Sequence, residues 1–326
     1  MSTFFCSDNS RQLGEEIIGT ANNCETYILV ECPPPWHNHA FNSRWVPDNL
    51  RKLVTESKAK KIPVTFLLIA NDFSHKKDEI TLLIYQKKPG ISNGFRQREF
   101  RLENIEQVAT TVRKWLWRKH GDIELETPRK RDILICTHGS HDKCCARYGN
   151  PFYFYLRDKL IPNLGLENIR VWRSSHFGGH RFAPTMIDLP EGRYYGNLSA
   201  ELCPSILTRK GNIQSLRQVY RGWGILSHPV QVIERELMLQ HGWKWFENKV
   251  AAKKIDQNND GSKVQVELIV EEPYGYVYNY QATLVKNEST SISLKSSCNA
   301  KEESVYSKYI LDNLYLKSQL AINYTA

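Results

Sequence analysis

The chain has 326 residues, of which 41% are hydrophobic and 24% charged, a balance typical of a globular protein. Its formal net charge of +9 is moderate, and the basic run Arg129, Lys130, Arg131 is better interpreted as a linker than as a nucleic-acid-binding stripe. No apolar run reaches the roughly 18 residues that a transmembrane helix needs, so neither a nucleic acid nor a membrane is expected as a partner.

The N-terminus and the cysteines together indicate the compartment. The first residues lack the cationic start and the apolar core of a secretory signal, so we expect a cytoplasmic protein or an equivalent reducing compartment. The 8 cysteines are too dispersed for a small disulfide scaffold. In a reducing compartment, clustered cysteines favour metal or redox chemistry.

Residues 1–125 are expected to form a first unit. Apolar, β-branched runs bounded by turn residues predict its buried strands. In chain order, the predicted elements are a short helix within residues 1–26, a strand over 25–32, a helix over 47–61, a strand over 63–71, a hairpin over 79–103 and an amphipathic helix over 105–120.

Residues 126–212 repeat the same order of elements. The predictions are a strand over 132–139, a helix over 151–162, a strand over 168–175, a hairpin over 181–198 and a short helix over 199–211. Each unit therefore has the order β-α-β-β-β-α, which is that of a thioredoxin-like unit. The internal similarity lies in this order and not in obvious residue identity.

The sequence over residues 213–326 predicts an α+β appendage. A helix is expected over 227–246, with Pro229 in its first turn. Alternating strands follow over 263–272 and 276–285, and a last helix is expected over 303–316. The predicted fold class is thus α/β, with two tandem thioredoxin-like units followed by this appendage.

The second unit carries the residues of greatest chemical interest. Eight residues separate Cys136 from Cys145, and three separate His176 from His180. Each pair follows a predicted buried strand, and loops beyond the carboxyl ends of adjacent strands converge on one edge of an α/β sheet. Thiolate and imidazole together suit zinc, copper and iron–sulfur centres. Our hypothesis is that these four residues hold an iron–sulfur cluster.

Zinc is the main alternative from the residues alone. The histidine spacing suits zinc, but structural zinc sites usually show two to four residues between their cysteines, unlike this pair. Spacing also leaves open whether Cys144 or Cys145 is the second sulfur ligand. The alternatives are therefore a zinc-stabilised binding module, or a thiol-dependent redox enzyme that uses Cys144 or Cys145.

Two segments carry a resemblance to a known family: CTHGSHDKCCARYG from Cys136 and SHFGGHRFAPTMIDLPEGRYYG from Ser175. Weaker matches are GTA from Gly19, LVECPPPW from Leu29 and YRG from Tyr220. In these segments the chain resembles the sucrase/ferredoxin-like family, whose cluster domain is a thioredoxin-like ferredoxin.

The resemblance implies a [2Fe–2S] cluster in which Cys136 and Cys145 bind one iron and His176 and His180 the other. It implies an electron-transfer or redox-sensing protein more than a catalyst, with a redox partner protein. The net positive charge of the chain would favour an acidic surface on that partner. No paired-carboxylate site of the glycosidase kind supports the sucrase part of the family name.

Overall fold

The computed structural model describes residues 4–71, 79–117, 130–286, 288 and 291–321. Nine strands form one mixed sheet in the order β4-β3-β1-β2-β6-β5-β7-β8-β9. They are β1 (Thr26–Glu31), β2 (Val64–Ala70), β3 (Ile80–Lys87), β4 (Phe95–Leu102), β5 (Arg131–Cys136), β6 (Ile169–Ser174), β7 (Met186–Leu189), β8 (Arg193–Tyr195) and β9 (Tyr220–Trp223).

Seven α-helices accompany the strands in the described residues. They are α1 (Cys6–Gln12), α2 (Asp48–Ala59), α3 (Glu106–Trp117), α4 (Lys143–Tyr155), α5 (Ile161–Asn163), α6 (Cys203–Thr208) and α7 (His228–His241), and a π-helical turn, Leu156–Leu160, joins α4 to α5. This mixture of helices with a large mixed sheet confirms the predicted α/β class. None of the described helices is both long and apolar enough to cross a bilayer.

The sheet consists of two half-sheets with the same internal pairing. β1 pairs parallel to β2 and antiparallel to β3, and β5 pairs parallel to β6 and antiparallel to β7. The half-sheets join where β2 pairs antiparallel to β6 through Ile69↔Ser174 and Ala70↔Arg173. We call this short pairing the seam. It brings the carboxyl ends of both half-sheets to one place.

The alternation of side chains along β1 explains its continuous apolar sequence. Tyr27 and Leu29 point into a large core shared with the second half-sheet. Ile28 and Val30 point into a smaller core under α2 and α3. Because successive strand residues face opposite sides, a strand covered on both faces is hydrophobic throughout.

The C-terminal region has its own antiparallel sheet, in the order β10-β11-β12-β15. Its strands are β10 (Lys249–Gln257), β11 (Lys263–Glu271), β12 (Tyr276–Lys286) and β15 (Tyr309–Ala321), and β13 (Ile292–Lys295) pairs with β14 (Glu303–Tyr306). The predicted last helix over 303–316 is therefore wrong, because β14 and β15 occupy that stretch.

The predicted domain limits stay predictions. The limit between residues 125 and 126 lies outside the described residues, as do residues 118–120 of the helix predicted over 105–120. The limit at residue 212 precedes β9, which pairs with β8 and so extends the main sheet. The polypeptide beyond residue 212 therefore contributes β9 to the main sheet as well as the strands of the C-terminal sheet.

Candidate metal centre

Helix α4 begins earlier than the sequence predicts. Asp142 is its N-cap, and its Oδ1 accepts a hydrogen bond of 2.8 Å from the backbone N–H of Cys144. Such a cap satisfies one of the free N–H groups at a helix start. The predicted start at Pro151 is therefore wrong. Cys145 lies in the first turn of a helix, whereas Cys136 is the last residue of β5.

Close packing of α4 on the end of β5 brings the two cysteines together. Gly149 faces this strand, and a Cβ atom at that position would overlap the carbonyl oxygen of Cys136. Any side chain would thus force the helix away from the strand. The first turn of α4 consequently holds Cys145 against Cys136, and both residues are almost fully buried.

The histidine loop follows β6 and contains two glycines with left-handed backbone torsions. Gly178 has φ 95° and Gly179 has φ 81°. Directly beneath them lies the buried guanidinium of Arg221, whose Cζ would be 2.5 Å from a Cβ at position 179. Arg221 donates to the carbonyl oxygens of Gly178 and Thr20 at 3.1 and 2.7 Å. These bonds fix the loop that carries His176 and His180.

Three of the four predicted ligands converge. The Sγ atoms of Cys136 and Cys145 each lie 3.7 Å from Nδ1 of His176. The ligand atoms of these three residues lie within 4.8 Å of one another, so they can hold a metal ion. Spacing left the second cysteine open, and the geometry places Cys145 beside Cys136 while Cys144 points to a different group of side chains.

His180 contacts the other side of the His176 ring. Its Nδ1 is 3.5 Å from Nε2 of His176, and its Nε2 is 2.6 Å from the carbonyl oxygen of Ser296. A carbonyl oxygen only accepts, so Nε2 carries the proton and Nδ1 presents a free lone pair. His180 therefore joins His176 but does not reach the two sulfurs within the same 4.8 Å group.

His141 belongs to this centre, and our sequence reasoning missed it. Its ring stacks on His176 with centroids 3.9 Å apart and an interplanar angle of 18°. Burial and the neighbouring His176 lower the pKa of His141 to about 4, so it is neutral at physiological pH. His141, His176 and His180 form a second, overlapping set of possible ligands. The only signal in the sequence was its position between the two cysteines.

His138 holds the backbone of His176 in place. Its Nδ1 accepts a bond of 3.1 Å from the backbone N–H of His176, and its Nε2 lies 2.8 Å from the carbonyl oxygen of His37. These two partners require a neutral ring that is protonated on Nε2. The ring also meets that of Trp36 edge to face, with centroids 5.8 Å apart. His138 therefore supports the histidine loop through its backbone.

The two buried thiols influence each other strongly. Burial by itself would raise the pKa of Cys136, but hydrogen bonds to its sulfur from Cys145 and His176 hold that pKa well below the ordinary value. The same pairing, together with burial, raises the pKa of Cys145 well above its ordinary value. The pair therefore shares a proton and favours one thiolate, which is the form that binds metal.

The weaker motif matches surround this centre. Thr20, from the GTA segment, accepts hydrogen bonds from Arg221, of the YRG segment, at both its hydroxyl and its carbonyl oxygen. In the LVECPPPW segment, the carbonyl oxygen of Trp36 accepts a bond of 2.6 Å from Ser140. Segments that are distant in the chain therefore build the walls of one site.

As a class, the molecule is a mixed α/β protein with a buried group of thiols and imidazoles suited to a soft metal. The chain belongs to the sucrase/ferredoxin-like family, whose profile matches residues 17–222.

One curated relative is altered inheritance of mitochondria protein 32 of Meyerozyma guilliermondii. It is 27% identical over 150 residues, which cover 43% of this chain and 48% of that protein. The chain thus matches about half the length of this relative. No solved structure matches the chain.

Proposed function

We propose that this protein binds a [2Fe–2S] cluster through Cys136, Cys145, His176 and His180 and works as a one-electron carrier or redox sensor. The observation that carries the proposal is the convergence of the two buried sulfurs on the His176 ring, with His180 against its far side. Membership of a family described as ferredoxin-like supports it.

The donor set fits such a cluster. Iron–sulfur centres are bound by thiolates, and two imidazoles replace two of them on one iron in some [2Fe–2S] proteins. The cysteines lie on β5 and α4, and both histidines lie on the loop after β6. With this division, the two cysteines would bind one iron and the two histidines the other. When bound, the cluster supplies one-electron chemistry at a higher potential than a centre with four thiolates.

The residues of the chain prepare the site for that group. The Ser296 carbonyl fixes the protonated nitrogen of His180, so that the other nitrogen is available to metal. Such partners of ligating histidines set ring orientation and tautomer. Arg221 places a buried positive charge beneath the loop and is 1% exposed. That charge favours the reduced, more negative state of the site.

The test is spectroscopy on protein isolated without air. We expect a red-brown protein with two irons and two acid-labile sulfides per chain, and an EPR signal on reduction. His176→Cys and His180→Cys should each keep a cluster but lower its potential by on the order of 100 mV, because a thiolate adds negative charge. The matched control is His39→Cys at an exposed position, which should leave the potential unchanged.

A zinc-stabilised binding module is the second candidate function. The overlapping group of His141, His176 and His180 favours it, since three imidazoles suit zinc. A colourless protein that contains zinc but no iron at this site would support the module and contradict the electron carrier.

We further propose that the protein works in a reducing compartment such as the cytoplasm, with a redox partner that has an acidic surface. The eight cysteines are dispersed along the chain and do not have the spacing of a small disulfide scaffold, which supports a reducing environment. The net charge of +9 supports an acidic partner. Reduction of the cluster by such a partner should slow as salt increases, because ions screen surface charges.

A further inference from the structure

A second group of ligand-type side chains lies on the other side of the first turn of α4. Cys6 from α1, Cys144 from α4 and Cys298 from the segment between β13 and β14 meet there. Their Sγ atoms are 3.5 Å apart for Cys6 and Cys144, 3.3 Å for Cys144 and Cys298, and 3.6 Å for Cys298 and Cys6. Three thiols from distant parts of the chain thus form a nearly equilateral triangle.

The shape of this triangle favours a bound ion over a disulfide. A disulfide needs a sulfur separation of about 2 Å and would leave the third thiol without a partner. In a tetrahedral zinc site, Zn–S bonds of about 2.3 Å place the sulfurs about 3.8 Å apart. The observed spacings lie close to that value and are nearly equal.

Asp142 lies beside the three sulfurs as a fourth side chain of ligand type. Its Oδ1 is 3.8 Å from Sγ of Cys6, and its side chain lies within the same 4.8 Å group as the three sulfurs. Its two oxygens accept backbone N–H groups of Cys144 and Cys298 at 2.8 and 3.0 Å. The carboxylate that caps α4 is therefore also fixed in place toward the sulfurs.

Backbone N–H groups also point at two of the sulfurs. The N–H of Ser7 donates to Sγ of Cys144, and that of Cys6 donates to Sγ of Cys298, both at 3.5 Å. Hydrogen bonds to ligating groups are typical of metal sites, and they favour the thiolate form. The start of α4 adds the positive end of a helix dipole near Cys144.

Burial makes a counter-charge necessary once these groups ionise. Cys6 and Cys144 are fully buried, Asp142 is 2% exposed and only Cys298 is partly open to solvent. In the part of the chain that the structure describes, no lysine or arginine forms an ion pair with Asp142. Buried charges are normally paired or coordinate metals.

We propose that Cys6, Cys144, Cys298 and Asp142 bind one zinc ion in a closed, four-coordinate structural site, distinct from the cluster ligands. Three sulfurs and one carboxylate oxygen within 4.8 Å of one another suit zinc by their softness and by their mutual distances. The adjacent residues Cys144 and Cys145 thus serve two different metal centres from opposite sides of one helical turn.

Zinc at this site would hold α1 and the segment between β13 and β14 against α4. Cys6 anchors α1, and Cys298 anchors the segment whose Ser296 carbonyl accepts the hydrogen bond from His180 Nε2. The ion therefore fixes the outer support of a proposed cluster ligand. Loss of zinc would free that support without removing any ligand of the cluster.

The test measures zinc and iron in the same anaerobically isolated full-length protein. We expect one zinc per chain beside the iron, and the variant Cys298→Ala should lose zinc by more than about tenfold while it keeps its iron. Cys298 is partly exposed, so its truncation disturbs the core little. The matched control is Cys203→Ala, a buried thiol outside both groups, which should keep both metals.

Cys145→Ala separates this inference from the proposed function, since it should lose iron and keep zinc. Zinc that disappears with Cys145→Ala but not with Cys298→Ala would overturn the second site. A zinc-free wild type, or one with copper instead, would overturn it as well.

A measurement on the wild type does not depend on variant folding. Chelation should expose Cys6 and Cys298 to alkylation, as followed by peptide mass spectrometry, and Zn²⁺ alone should restore their protection. A disulfide between Cys6 and Cys298 in freshly isolated protein would contradict the zinc site.

Discussion

The two half-sheets share an order of elements but differ in the connection between their first strand and the next helix. After β1 come Cys32, three prolines and Trp36, and α2 begins only at Asp48. β5 ends in Cys136, and α4 begins at Lys143 with two cysteines in its first turn. The comparison teaches that the scaffold is common to both halves, while the chemistry depends on this connection.

The first half nevertheless contributes to the site of the second. Because β2 and β6 pair only at their carboxyl ends, the loops after both half-sheets lie along the seam. Trp36 and His37 therefore reach the ring of His138, and Ser140 donates to the carbonyl of Trp36. The half without the proposed cluster ligands forms part of the outer wall of the site in the half that has them.

The sharpest way to test this contrast is to truncate the cysteine nearest the end of the first strand in each half, Cys136 as the last residue of β5 and Cys32 just after β1. Cys136→Ala should abolish iron binding, because the site loses a thiolate that no other residue replaces. Cys32→Ala should keep the iron, since Cys32 is a buried thiol outside both metal groups. Iron content and visible absorption of the two purified variants measure the difference. Equal iron in the two variants would contradict the assignment.

The coupling between the halves can be broken at Asp132. This fully buried carboxylate accepts from Tyr85 and, at 3.0 Å, from Gln97 in the first half. In the second half it accepts from Arg170 at 2.7 Å and Trp172 at 2.6 Å. Asp132→Asn should lower the free energy of unfolding by about 3–5 kcal/mol, because the largely buried guanidinium of Arg170 then loses the negative charge of its partner. Urea denaturation measures the loss.

A double-mutant cycle with Tyr85→Phe gives the control for Asp132. The two substitutions should be non-additive by roughly 0.5–3 kcal/mol if they act through one bond between the halves. Simple additivity would mean that Asp132 stabilises the second half alone.

Arg221 offers a test of the histidine loop. Arg221→Met removes the hydrogen bonds to Thr20 and Gly178, so stability should fall by about 1–3 kcal/mol through unpaired carbonyl groups. The cluster should remain, but its potential should fall because a buried positive charge is lost. Redox titration of the isolated protein measures the shift. An unchanged potential would show that the charge of Arg221 does not act on the centre.

The smallest effect is expected at the seam itself. The hydroxyl of Ser175 accepts the backbone N–H of Leu68 at 3.0 Å in a buried position. Ser175→Ala should cost about 1–2 kcal/mol, since it leaves that N–H unpaired. Ser57→Ala is the matched control, because the buried Ser57 hydroxyl has no hydrogen-bond partner among the residues that the structure describes, so its removal should cost little. Thermal unfolding of both variants provides the comparison.

Strands β1, β2, β3 and β5 of the main sheet were predictable because each contains a continuous apolar run, as expected for a strand buried on both faces, whereas β9 (YRGW) contains no such run and was not predicted. The last helix was predicted wrongly for a local reason. In β15, bulges opposite β12 shift the register, so that Leu284 pairs with Leu311 but Thr283 pairs with Asn313. Leu311 and Leu314 then pack on the same core, although only two residues lie between them. That spacing imitates a helix, and the strand partner that decides otherwise is distant in sequence.

The candidate site was predictable in its residue types but not in its internal arrangement. Strand ends pointed to Cys136 and His176, because those loops share an edge of the sheet. The family resemblance implied Cys145, but the spacing alone left Cys144 and Cys145 equal, and only the start of α4, with Asp142 as its cap, shows which of them faces Cys136. His141 and the triangle of Cys6, Cys144 and Cys298 needed side-chain contacts in three dimensions, and those of the triangle join segments more than 100 positions apart. No spacing rule reports such contacts.

The Ser296 carbonyl that covers His180 has a consequence for biosynthesis. A ribosome completes Cys136 through His180 well before it reaches residue 296, so the histidine loop exists for a time with its outer side open. A metal centre assembled during this interval would form before His180 has the partner that fixes its tautomer. Once β13 and the residues after it have folded against this loop, the Ser296 carbonyl accepts the hydrogen bond of His180 Nε2 and fixes which ring nitrogen faces the site.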